Sequence, residues 1–135
     1  MEYTVMDIEQ AYHSFFSQFG LAFEESSIPE EIWDAETEKM IPLTPPYITY
    51  QKIFGDVESP VFPTASIFTR STSWAQADAI LNSISEALAQ GGQIIPFDKG
   101  RIYFTKGSPF AQPLSEEDRT IKRYVLNLSV ICMTR

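Results

Sequence analysis

The chain has 135 residues, of which 44% are hydrophobic and 13% aromatic. That is long enough to bury a real core as one domain, residues 1–135, and too apolar for wholesale disorder. A formal net charge of −8 argues against nucleic-acid binding by general attraction, without excluding a protein that DNA merely passes through.

One cysteine, Cys132, excludes an internal disulfide and fits a reducing compartment. No apolar run approaches the roughly 18 residues that span a bilayer. The start, MEYTVMDIEQ, is acidic and lacks the basic-then-apolar layout of a signal peptide. The expectation is a soluble, unexported protein with no membrane partner.

A first helix is predicted from Met6 to Phe19. Ile8, Tyr12, Phe15, Phe16 and Phe19 share one face, Thr4 or Asp7 stands near the start, and Gly20 ends it. So aromatic a face should pack against something broad and flat. Leu21 to Phe23 is short and apolar. Over residues 27–46, SIPEEIWDAETEKMIPLTPP, the composition turns acidic and proline-rich. Prolines 29, 42, 45 and 46 argue against regular structure, beyond a turn of helix between Glu30 and Lys39. This predicts a long ordered loop, uncommon enough in a compact domain to mark a contact surface. Its apolar residues, Trp33, Met40 and Ile41, either enter the domain's own core or wait for a partner.

Tyr47 to Phe54 reads as a strand closed by Gly55-Asp56, and Val61 to Arg70 as a second, with Pro63 marking an edge position or a bulge. The best-signalled stretch follows. Ser73 and Gln76 have the spacing of a capping box, and Trp74, Ala77, Ile80, Leu81, Ile84 and Leu88 form one stripe of a helix from Trp74 to Gln90. Gly91 and Gly92 end it. Trp74 is expected to anchor this helix on the sheet, so that Trp74→Ala would cost about 3–5 kcal/mol.

Ile94 to Phe97 and Arg101 to Thr105 flank Asp98-Lys99-Gly100, which matches a three-residue hairpin loop with a left-handed glycine last. Residues 107–118 read as loop, with Pro109, Pro113 and the acids Glu116, Glu117 and Asp118. From Thr120 to Thr134 apolar Tyr124, Leu126, Leu128, Val130 and Cys132 alternate with the residues between them, a strand that reaches roughly 45 Å. Cys132 on that apolar face is a packed thiol. The order of elements predicts an α+β fold, a mainly antiparallel β-sheet with two helices packed on one face.

Chemistry is sparse. His13 is the lone histidine, predicted to be solvated, so no histidine-based metal cluster can form. There is no phosphate-cradling glycine loop and no G-x-S-x-G elbow. Acids cluster at 24–25, 30–31, 36–38 and 116–118, in polar sequence where nothing desolvates a carboxylate as tuned acid–base work requires. Catalytic, cofactor-binding and metal residues are therefore all read as none. Among the scattered cations, Lys52, Arg70 and Lys106 join Trp33, Met40, Ile41, Glu116, Glu117 and Asp118 as candidate interface residues, on the expectation that strand-borne charges facing away from the helices meet an acidic neighbour.

Three stretches in order resemble the tail terminator, or tail completion, proteins of long-tailed bacteriophages, a family of minor capsid and head–tail joining proteins. They are the early helix with FEESSIP and PPYITYQKIFGD; TASIFTRSTSWAQADAILNSISEAL; and GGQIIPFDKGRIYFTKGSPFAQPLSEED with RYVLNLSV. Together they cover residues 6–130, and the segment from Ile32 to Thr44 is longer than the family pattern. The resemblance implies a virion protein, assembled in the host cytoplasm as a ring homo-oligomer, a hexamer. It would bind the major tail tube protein and a head-completion or connector protein, with DNA passing through its lumen, and would act by shape and charge with no cofactor or turnover. The same residues leave open another head–tail connector component, a small enzyme using Glu24, Glu25, Glu116 and Glu117, and a generic host regulatory module.

Overall fold

A computed structural model describes residues 5–53, 55, 58–97 and 99–134. The expected helix cap at Thr4 or the Asp7 side chain, the strand end at Phe54 and Asp56, and Asp98 of the hairpin loop lie outside the described residues. In chain order the elements are α1 (Val5–Phe16), a 3-10 turn (Ser17–Phe19), β1 (Ala22–Glu24), β2 (Glu31–Asp34), β3 (Lys39–Pro42), β4 (Tyr47–Tyr50), β5 (Thr64–Arg70), α2 (Ala75–Ala87), β6 (Gln93–Phe97), β7 (Gly100–Leu114) and β8 (Ile121–Thr134).

Six strands form one sheet in the order β1-β4-β5-β8-β7-β6, with β1 parallel to β4 and every other pair antiparallel. Register places Ile48 opposite Ile67 and Ile67 opposite Tyr124, while Phe104 faces Val130. Residues two apart share a face, so Tyr50, Ala65, Leu126, Leu128 and Ile102 join them on one side. Both helices pack on that side. Tyr12, Phe15 and Phe16 of α1 meet the rings of Tyr50 and Phe104. From α2, Ala77, Ile84 and the flanking Leu88 are buried, and Asp78 accepts a hydrogen bond from the Tyr124 hydroxyl. This is the α+β architecture the sequence predicts.

Both helices follow their stripes. Tyr12, Phe15 and Phe16 are fully buried while His13 beside them is exposed. Gly20, at φ +142°, ends the 3-10 turn. Ser73 does serve the start of α2, its Oγ accepting from the Ala75 N–H at 3.0 Å, but Gln76 does not answer it, and the helix closes at Ala87 rather than Gln90. Gln90, Gly91 and Gly92 all take positive φ there. Gly92 is required for a second reason: a Cβ would lie 2.2 Å from the Phe104 carbonyl oxygen. Trp74 is half-buried, its ring 5.0 Å from that of Tyr124. It anchors α2 from the rim of the core, so its removal empties less space than expected.

Four expectations are corrected. Residues 27–46 are not a loop, nor is Glu30 to Lys39 a helical turn: β2 and β3 pair as a hairpin in a separate two-stranded sheet. The prolines sit at its margins, and its acids supply turn chemistry. Asp34 accepts from the Glu36 N–H at 3.1 Å and the Thr37 hydroxyl at 2.8 Å, and Glu38 takes φ +54°. Pro63 marks no edge strand, since β5 lies inside the sheet; Pro63 is buried just before it, after an isolated bridge from Val61 to Val130. Gly100 pairs with Phe97, so the β6–β7 connection is two residues and Gly100 belongs to the strand. Residues 107–114 continue β7 past a bulge between Lys106 and Ala111. Proline is tolerated there because β6 pairs only as far as Phe104, leaving that side of β7 as an edge.

Two outcomes follow for stability. Phe104→Ala should cost about 3–5 kcal/mol in denaturant unfolding, and Trp74→Ala clearly less. Burial pushes the Tyr12 hydroxyl up to about 12, against an ordinary value of 10.0. Because the folded value is the higher, its contribution is complete below pH 10 and lost as pH rises from about 10 to 12, on the order of 3 kcal/mol. Unfolding free energy measured across that window should fall, and less steeply in Tyr12→Phe.

Candidate interaction surfaces

The β2–β3 hairpin alternates like any strand pair, and that decides what it presents. Ile32 pairs with Ile41 on one face, both half-buried; Trp33 pairs with Met40 on the other. Trp33 is 61% exposed and Met40 52%. Two large apolar side chains are thus held together in water by a sheet that, among the described residues, pairs with no other strand. This exposed aromatic–thioether pair lies outside the core. Trp33 and Met40 therefore stand where a partner can reach them, while Ile41 steadies the hairpin.

At the far end of β7, a turn gathers the acids. The Asp118 carboxylate accepts from the Thr120 N–H at 2.9 Å and the Thr120 hydroxyl at 2.6 Å, and lies 3.1 Å from the Arg70 guanidinium. Those bonds, Thr120 first and Arg70 after, hold its carboxyl below the usual range. Glu116 pairs with Arg123 at 3.3 Å, and Arg123 lies 5.0 Å from the Phe68 ring and donates to the Ser66 hydroxyl. Glu117 is exposed. Arg70, Glu116, Glu117 and Asp118 are thus one neighbourhood.

Lys52 and Lys106 are elsewhere, and not on the face away from the helices. Lys52 continues the alternation of β4 toward α1 and pairs with Glu9. Lys106 donates to the Ser85 hydroxyl of α2 at 2.7 Å and lies 5.0 Å from the Phe110 ring. Both are used in joining helix to sheet.

Beside the acidic turn is a depression of about 340 Å³ whose lining includes Trp74, Leu114, Glu116, Arg119, Ile121 and Lys122. Sequence reading missed it. Its one available signal is register: Lys122 is two residues from Tyr124 and so shares the helix-side face, where its ammonium lies 5.7 Å from the Trp74 ring. A larger, more open cleft of about 460 Å³ is lined by Glu9, His13, Glu24, Tyr50 and Lys52, among others. Glu24 and Glu116 thus line different depressions, so these two acids do not converge. Among the described residues no cluster of three or more His, Cys, Asp or Glu is placed to hold a metal, and no helix is long and apolar enough to cross a membrane.

Compared with family models, curated proteins and solved structures, the chain matches none.

The arm and the core should separate in experiment. At a concentration where the chain is monomeric, Trp33→Ala should change unfolding free energy by no more than about 0.5 kcal/mol, as expected for a surface site. Iodide should quench the fluorescence of a Trp74→Phe protein, which retains only Trp33, far more strongly than that of Trp33→Phe.

Proposed function

We propose that this chain is a structural, non-catalytic subunit of a long-tailed bacteriophage particle. In this reading it caps the finished tail tube, stops its elongation, and forms part of the head–tail joint as a ring of like copies. The three ordered stretches of family resemblance support the class. The observation that carries an assembly role is the β2–β3 arm, which holds Trp33 and Met40 outward on a sheet of its own.

Charge supports the same reading. A net charge of −8 would keep a ring lumen from gripping DNA, and the contacts available are of shape and charge. The sheet margins point the same way. β6 carries Pro96, the free margin of β7 carries Pro109 and Pro113, and β1 is three residues long. Proline and brevity blunt strand addition at an edge, which leaves side-chain surfaces such as the arm for binding partners. A head-completion or adaptor subunit is the neighbouring reading, since it would use the same surfaces.

Deleting the gene and imaging the lysate tests the proposal. Tails of uncontrolled length, unattached to heads, are expected; normal tails joined to heads would refute it. Pull-down separates the neighbouring reading: a terminator retains the tube protein, an adaptor the portal.

A further inference from the structure

We infer that the β2–β3 arm of one copy seats in the Trp74–Arg119–Lys122 depression of a second copy. This rests on the reading of the chain as a self-assembling subunit and specifies which surfaces meet.

The charges are complementary. Between Glu30 and Lys39 the arm carries five carboxylates, Glu30, Glu31, Asp34, Glu36 and Glu38, against the single cation Lys39. Asp34 is spent inside the turn, but Glu31, Glu36 and Glu38 are exposed without an ion-pair partner among the described residues. The depression has the opposite character. Arg119 and Lys122 have no carboxylate partner among the described residues; Lys122 donates instead to the Arg119 carbonyl at 2.7 Å. The one carboxylate in its wall, Glu116, is neutralised by Arg123 at 3.3 Å. Asp118 nearby is held by Arg70, which leaves Glu117 as the only opposing charge on that turn.

The apolar parts match as well. Trp33 and Met40 on the arm need an apolar seat, and Trp74, Leu114 and Ile121 line the same depression as the two cations. A tryptophan seated in an apolar pocket is the kind of anchor that concentrates binding energy at an interface. No arm residue lines this depression in its own chain. The two surfaces are different patches of one molecule, so the contact is head-to-tail and propagates copy to copy into a closed ring or an open filament.

Charge reversal tests the pairing in the full chain. One variant reverses the arm, Glu36→Lys with Glu38→Lys; the other reverses the seat, Arg119→Glu with Lys122→Glu. Mass is read by light scattering after gel filtration, with folding checked by circular dichroism. Wild type is expected above the 15.3 kDa monomer, each variant alone at the monomer mass, and their equimolar mixture back at the wild-type mass, because every arm then meets an opposite seat. Trp33→Ser, a variant without charge change, should weaken association at least tenfold. Variants that assemble alone, or a mixture that stays monomeric, would overturn this pairing while leaving self-assembly intact. A wild type that is monomeric at every concentration would overturn the self-assembly reading and this pairing with it.

Discussion

The ring of Phe104 stacks on Phe15 at 4.4 Å and meets Tyr12 edge-on at 5.6 Å, while Phe16 stacks on Tyr50 at 4.9 Å. Phe104 belongs to β7 and Tyr50 to β4, strands on opposite sides of the central β5–β8 pair. One helix of aromatic residues therefore clamps both halves of the sheet. Stacked and edge-on rings each add about 0.5–1.5 kcal/mol beyond the area they bury, and the cluster is dry enough to hold the Tyr12 hydroxyl protonated well past its ordinary range. The Tyr12 hydroxyl is not stranded there, since it donates to the Ile53 carbonyl at 3.2 Å.

With α1 and α2 covering one face, the sheet's remaining options for contact are its margins and its open face. Its margins are short or carry proline. The open face is partly closed by its own side chains: Arg123 lies over Phe68, Phe68 meets Tyr47 at 5.2 Å, and Tyr47 meets Phe23 at 6.3 Å. What stays uncovered are elements that core formation did not need, above all the β2–β3 arm and the turn from Leu114 to Ile121. The buried core and the exposed surfaces thus occupy different residues. A substitution in the first set acts on folding; in the proposed assembly, one in the second acts on association.

The sequence made the clamp legible because helical and strand periodicity are strong signals over long segments. The α1 stripe, the α2 stripe and the alternation of β8 all lie where their spacing puts them. The arm was not legible for a physical reason. Four-residue strands ending at Pro42 and separated by a run of acids carry too short a pattern to distinguish a hairpin from a loop, and Asp34 reveals itself as a turn residue only once its hydrogen bonds to Glu36 and Thr37 are seen. The extension of β7 to Leu114 was hidden similarly, because Pro109 and Pro113 read as breakers unless one knows that β6 stops short of them. Of the candidate contact residues, Trp33 and Met40 were identifiable as apolar side chains in polar company. Arg119 and Lys122 were not, since only the fold brings Trp74 beside them.

The division between an aromatic clamp that folds the chain and an arm proposed to join it to others is most directly tested by removing the arm. Replacing residues 31–42 with a short Gly-Ser link and measuring denaturant unfolding beside solution mass gives both halves of the answer. At a concentration where wild type is monomeric, unfolding free energy should stay within about 1 kcal/mol of wild type, as for changes outside the core, and at higher concentration self-association should be lost. An unfolded chain, or one that assembles as wild type does, would contradict this division.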